Sequence, residues 1–95
     1  MPAWFYVLRL RSRKLYLGST RSKLQRYADH FSGRGCKTTR ADPPIAVVYE
    51  EEFQTYKEAF RRERQVKRWT RAKKETLICG AFGELKRLAR RRKKC

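Results

Sequence analysis

A chain of 95 residues makes one domain with a modest core, since at this size only about 60–65% of the unfolded surface can be buried. Its 26 basic against 9 acidic residues leave a net charge of +17, far more than solubility requires and better suited to nucleic acid than to an anionic membrane or an acidic protein. The cysteines, Cys36, Cys79 and Cys95, are odd in number and lack CxxC spacing, which argues against a disulfide framework and a zinc site and fits a reducing cytoplasm. No secretory signal is legible, and no apolar run approaches the length of a membrane span.

Trp4 to Leu10 is aromatic and β-branched and almost continuously apolar, as a central strand covered on both faces would be. Arg11-Ser12-Arg13-Lys14 is a polar break of hairpin length, and Leu15 to Leu17 is a short second strand ended by Gly18. Ser22 with Gln25 reads as a capping box, opening a helix with the apolar stripe Leu24, Tyr27, Ala28 and Phe31. Arg26 and His30 share another face of that helix. Gly33, Gly35 and Pro43-Pro44 bound a basic loop, Arg34 to Arg40. Ile45 to Tyr49 is a third strand.

Thr55 with Glu58 is a second capping box, and its helix should reach about Trp69 with Tyr56, Ala59, Phe60 and Val66 inward. Thr70 caps a helix from Arg71 to Cys79, ended by Gly80. Residues 1–80 thus read as the domain, α+β, a small three-stranded antiparallel sheet flanked by helices in the order β-β-α-β-α-α. Residues 81–95 read as a basic extension, part helix and part disordered, closing in Arg90-Arg91-Arg92-Lys93-Lys94.

Several residues in this pattern carry chemistry. Glu63 projects from the apolar stripe of its helix, where a carboxylate needs a partner: Lys67 at i+4, water at the stripe's edge, or a metal ion. Arg26 offers a planar fork matched to phosphate, and His30 titrates near neutrality. Tyr6 and Tyr16 are strand aromatics, and a buried phenol beside a cation has its pKa drawn down towards general-base use.

Tyr6, Tyr16-Leu17-Gly18, Arg26, His30 and Glu63, in this order and at these spacings, resemble the GIY-YIG nuclease domain, and in particular its small single-domain UPF0213 group. Ser32-Gly33-Arg34-Gly35-Cys36-Lys37-Thr38-Thr39-Arg40 is similar to a loop of that group, Pro44 to Tyr49 to its third strand, and Glu63 to Lys74 to its later helices. The first motif is incomplete, with Trp4-Phe5 where the family has Gly-Ile, and Ser19 stands where an apolar residue is common. The resemblance implies phosphodiester hydrolysis with one divalent metal, Mg²⁺ or Mn²⁺. Tyr6 or Tyr16 would handle the nucleophile, Arg26 would stabilise phosphate charge, Glu63 would ligate the metal, and His30 would assist proton transfer or bind phosphate.

Lys37, Thr39 and Arg40 are expected to grip phosphates, with Lys67, Lys73 and Lys74 extending the track, giving salt-sensitive affinity with little sequence reading. The expected partner is DNA, single-stranded, duplex or branched, with RNA the alternative; no membrane and no small-molecule cofactor is implied. Two other readings stay open: a non-catalytic basic module on the same fold, and the catalytic subunit of a larger structure-specific nuclease with a protein partner.

Overall fold

The computed structural model describes residues 1–80, so the expected basic extension lies outside the described residues. Seven elements follow in order: β1 (Ala3–Leu10), β2 (Leu15–Thr20), α1 (Lys23–Ser32), α2 (Lys37–Ala41), β3 (Pro44–Phe53), α3 (Tyr56–Lys67) and α4 (Arg71–Cys79). The class is α+β as expected, with one element more than the sequence predicts: the supposed loop before β3 contains the short helix α2. The sheet is antiparallel throughout, with β1 between β2 and β3.

β1 is apolar along its length because both its faces are covered. Phe5 and Val7 point to one side, where Leu17, Tyr49 and Val66 complete a core closed by Leu77 and Ile78. Tyr6, Leu8 and Leu10 point to the other, packed against Tyr16, Tyr27 and Val47. Helices α3 and α4 therefore cover one face and α1 the other. Full burial of each large apolar side chain in this core contributes about 1.5–3 kcal/mol. The hairpin between β1 and β2 turns at Arg13, whose φ of 83° lies in the left-handed region. The Ser12 hydroxyl and amide both donate to the Asp42 carboxylate, tying the turn to the entry of β3.

Three local expectations need correction. β2 does not stop at Gly18 but pairs on through Thr20, opposite Trp4. Ser22 makes no side-chain cap on α1, and Gln25 bonds Asp29 instead. The stripe of α1 is also turned away from the sheet. Leu24 is 78% exposed and Phe31 47%, while Tyr27 and His30 face inward. On α3 the Thr55–Glu58 capping box forms as read, but Phe60 lies outward and the helix ends at Lys67.

Candidate active site

The site forms where the two faces of the sheet meet, at the outer edge of β2. Gly18 lies opposite Tyr6 in the register. A β-carbon on Gly18 would fall within 2.5 Å of the Tyr6 ring carbon that carries the hydroxyl, so only glycine leaves room for the phenol to lie over β2. The buried Tyr6 hydroxyl then meets Nε2 of His30 at 3.0 Å. On the other side of the ring, Nδ1 of His30 lies 2.9 Å from the Thr39 hydroxyl, which donates its own proton to the Cys36 carbonyl at 3.2 Å. That donation leaves the Thr39 oxygen as acceptor, so Nδ1 carries the imidazole proton and Nε2 accepts from Tyr6. Gly35 permits this packing, since a β-carbon there would lie 2.5 Å from Nδ1 of His30.

Tyr16 stands beside this chain, its ring edge-on to His30 at 5.2 Å, and its hydroxyl accepts from the Cys36 thiol at 3.3 Å. Burial would raise the Cys36 thiol, but hydrogen bonding with Tyr16, Thr39 and Thr38 brings it down to about 7. Glu63 reaches the same edge from α3. It is 8% exposed, accepts from the Ser19 hydroxyl at 2.7 Å on one oxygen and pairs with Lys67 at 3.2 Å on the other. The stripe-breaking carboxylate therefore has both a hydroxyl and an ammonium partner. Arg26 is exposed on α1, in a groove lined by Ser19, Arg21, Gln25, Asp29 and Tyr56, and has no carboxylate partner among the described residues.

These groups feel one another. Burial pushes the Tyr6 hydroxyl up, each of Tyr16 and Glu63 adds to the rise, and the Arg26 charge opposes it. Burial likewise pushes Tyr16 up, with Cys36 and Glu63 adding and Arg26 opposing. His30 is held below its usual value by burial and by Arg26. The sequence-based expectation of acidified phenols is thus reversed, because desolvation outweighs the one nearby guanidinium. The resting pair is a neutral phenol donating to a neutral imidazole.

The structure brings Tyr6, Tyr16, Arg26, His30 and Glu63 to one sheet edge. It does not bring all the expected phosphate-binding residues to the surface. Thr39 is fully buried, its hydroxyl engaged with His30 and Cys36, so it orients the imidazole and cannot grip a phosphate. His30 is also buried, with one ring nitrogen against the Tyr6 hydroxyl and the other against Thr39, so it cannot touch a phosphate directly. Lys37 and Arg40 lie exposed on α2, and Lys67 beside Glu63. Lys73 packs over the Trp69 ring at 4.4 Å, and Lys74 is half-buried on α4. Sequence reasoning missed Ser19, Cys36 and Tyr56; the hydroxyl at Ser19, in a position the resemblance leads one to expect apolar, was the one available signal.

The oxygen donors at this point are the Glu63 carboxylate and the Ser19 hydroxyl, and no cluster of three or more His, Cys, Asp or Glu suited to a metal exists among the described residues. Such a set fits a hard divalent cation that keeps most of its waters, and does not fit zinc. Among the described residues no helix is long and apolar enough to cross a membrane, and Cys36 is in no disulfide.

Comparison with known proteins agrees with this fold. Residues 2–76 match the GIY-YIG catalytic domain, that of a nuclease superfamily. A UPF0213 protein of Bacillus pumilus is 43% identical over 75 residues, 79% of this chain and 76% of that protein. One from Natronomonas pharaonis is 38% identical over 80 residues, 84% of this chain and 94% of that protein. The solution NMR structure of a UPF0213 protein from Bacillus halodurans, 35% identical, superposes with a TM-score of 0.55 over 83% of this chain and 84% of its own. With a family model matched over residues 2–76 and relatives this similar, the chain belongs to the GIY-YIG family, in its UPF0213 group.

Proposed function

We propose that the protein is a divalent-metal-dependent endonuclease that hydrolyses phosphodiester bonds in DNA with little sequence preference. The observation that carries the reading is the Tyr6–His30–Thr39 hydrogen-bond chain, in which a neutral imidazole accepts from the Tyr6 hydroxyl beside the edge that Glu63 and Arg26 border. A water at that edge passes its proton to the Tyr6 hydroxyl oxygen as Tyr6 passes its own to Nε2 of His30. The phenol is then a relay and not a resident phenolate, in keeping with its raised pKa. Arg26, unpaired and exposed, takes the charge gathering on the phosphoryl oxygens. Glu63, freed from the largely exposed Lys67 ammonium, would hold Mg²⁺ or Mn²⁺. Such a cation would supply Lewis-acid charge to the phosphoryl group. Lys37, Arg40 and Lys67 steer the backbone, and sequence reading requires contacts with base edges that no part of this site makes evident.

The test is cleavage of single-stranded, duplex and branched DNA with Mg²⁺, Mn²⁺ or EDTA. Glu63→Ala and Arg26→Ala each lower the rate by roughly 100-fold or more, the size seen when one charge-stabilising group is lost. Cleavage at the wild-type rate by Glu63→Ala overturns the metal assignment. Salt-sensitive binding without turnover in any metal overturns the enzyme reading and leaves a binding module.

A further inference from the structure

The outward face of α3 carries a second charged surface that the nuclease site does not use. Lys57, Arg61, Arg64 and Arg68 fall at i, i+4, i+7 and i+11, and with Phe60 and Gln65 they line one shallow groove. Around the helix axis they lie about 100–160° from Glu63, and they extend over about 16 Å. None of the four pairs with a carboxylate among the described residues, whereas Arg9, Lys23, Arg34, Arg62, Lys67 and Arg71 all do. The one acidic side chain at the margin, Glu58, accepts from the Thr55 amide in the capping box. Four cations at i, i+3 and i+4 spacings repel one another and weaken the helix slightly.

This face is continuous with the cleft. Arg21 and Tyr56, both in the cleft groove, stack with the guanidinium 5.1 Å from the ring centre. Tyr56 stacks on Phe60 at 6.1 Å and 15°, and Arg64 lies 5.8 Å from the centre of Phe60. A cation–ring–ring–cation column thus runs from the cleft rim onto the outer face, and its Phe60 ring is 41% exposed.

The geometry points to the outer face of α3 as a second phosphate-binding surface, which holds the nucleic-acid backbone beyond the segment in the cleft. Its complement is a polyanion with regularly spaced charge, and about 16 Å matches close to five base-pair rises of one strand. The proposal rests on the nuclease reading only for the choice of nucleic acid as that polyanion.

The experiment is duplex DNA binding across a salt series, in EDTA and on a Glu63→Gln background so that nothing is cut. Adding Arg61→Gln/Arg64→Gln/Arg68→Gln lowers the salt slope by about 2.7, at about 0.9 for each phosphate no longer neutralised. Arg11→Gln/Arg13→Gln/Lys14→Gln, which removes the same charge from the hairpin, leaves the slope as it was. An equal fall in both overturns the proposal, since the general field then accounts for it. An unchanged slope overturns it too, and lost binding to phosphatidylglycerol vesicles in that case assigns the face to a membrane. Should the triple variant fail to fold, Arg64→Gln alone is read for a fall of about 0.9. Wild-type protein that cuts nothing while the slope still falls refutes the nuclease reading alone; intact cutting with an unchanged slope refutes this proposal alone.

Discussion

Glu63 is the residue that announces itself in the sequence, and the structure gives it a use for each oxygen: one accepts from Ser19, the other from Lys67. Glu63→Gln keeps the serine bond and loses only an ion pair with a largely exposed lysine, so thermal melting moves little, by less than about 1 kcal/mol, while cleavage collapses. Gly18 is the opposite case. Gly18→Ala drives a methyl group into the Tyr6 ring, and we expect it to cost about 1–3 kcal/mol in denaturant melts and to abolish cleavage. We expect His30 to set the acid limit. Its folded pKa lies below its unfolded value, so the unfolded chain takes up the proton first. Stability is full above about 6.5 and falls as pH drops from there through the depressed folded pKa, and cleavage falls on the same limb as the relay nitrogen is protonated. A rate profile flat from pH 7.5 to pH 5 would sink the role given to His30. The Cys36 thiol, brought down to about 7, should be alkylated with a midpoint near neutrality, and adduct formation beside Tyr16 should block cutting; peptide mass spectrometry locates the adduct.

At the scale of elements, α3 was legible because its signals are local. Thr55 and Glu58 cap it reciprocally, and Ala59, Glu63 and Val66 keep helical spacing on its buried side. Thr55→Ala should cost about 1 kcal/mol, measured by urea unfolding. Helix α1 was misread because its apolar pattern and its packing disagree by about a quarter turn. The sheet takes Tyr27, which packs edge-on against Tyr6 at 5.4 Å, and His30, and it leaves Leu24 and Phe31 in solvent. Polar complementarity to Tyr6 decides the rotation of the helix, and nothing in the periodicity of α1 encodes a partner on β1. The same holds for α2: its glycine-rich, basic run looks like a loop, yet Thr39 must be held under His30. The phenol pKa values also escaped the sequence, which names Arg26 as a neighbour but not how deeply the rings are buried. On the other face, α4 is clasped to β1 by Glu75, which takes two hydrogen bonds from Arg9 and one from Arg71 and is held at about 2. That stability is full above about 4.5 and disappears as pH falls through about 2. Glu75→Gln should therefore cost roughly 1–2 kcal/mol at neutral pH, less the share that solvent already screens.

For the whole molecule, charge of one sign is the dominant fact: +17 over 95 residues. Association with DNA should weaken steeply as salt rises, with log affinity linear in log salt concentration. The sheet has two free edges, and they are treated differently. β3 breaks register with β1 twice, between Val7 and Leu8 and again between Arg9 and Leu10, and it begins at Pro44. Bulges and proline twist and interrupt that rim, so another strand finds no regular ladder to join. β2 has regular pairing over its whole length, yet the helix-borne side chains of the site crowd its rim. One rim is thus spoiled as a template for self-association, and the other is occupied by the side chains of the candidate site. A strongly basic protein concentrated along a polyanion would then be kept from zipping its sheets together edge to edge.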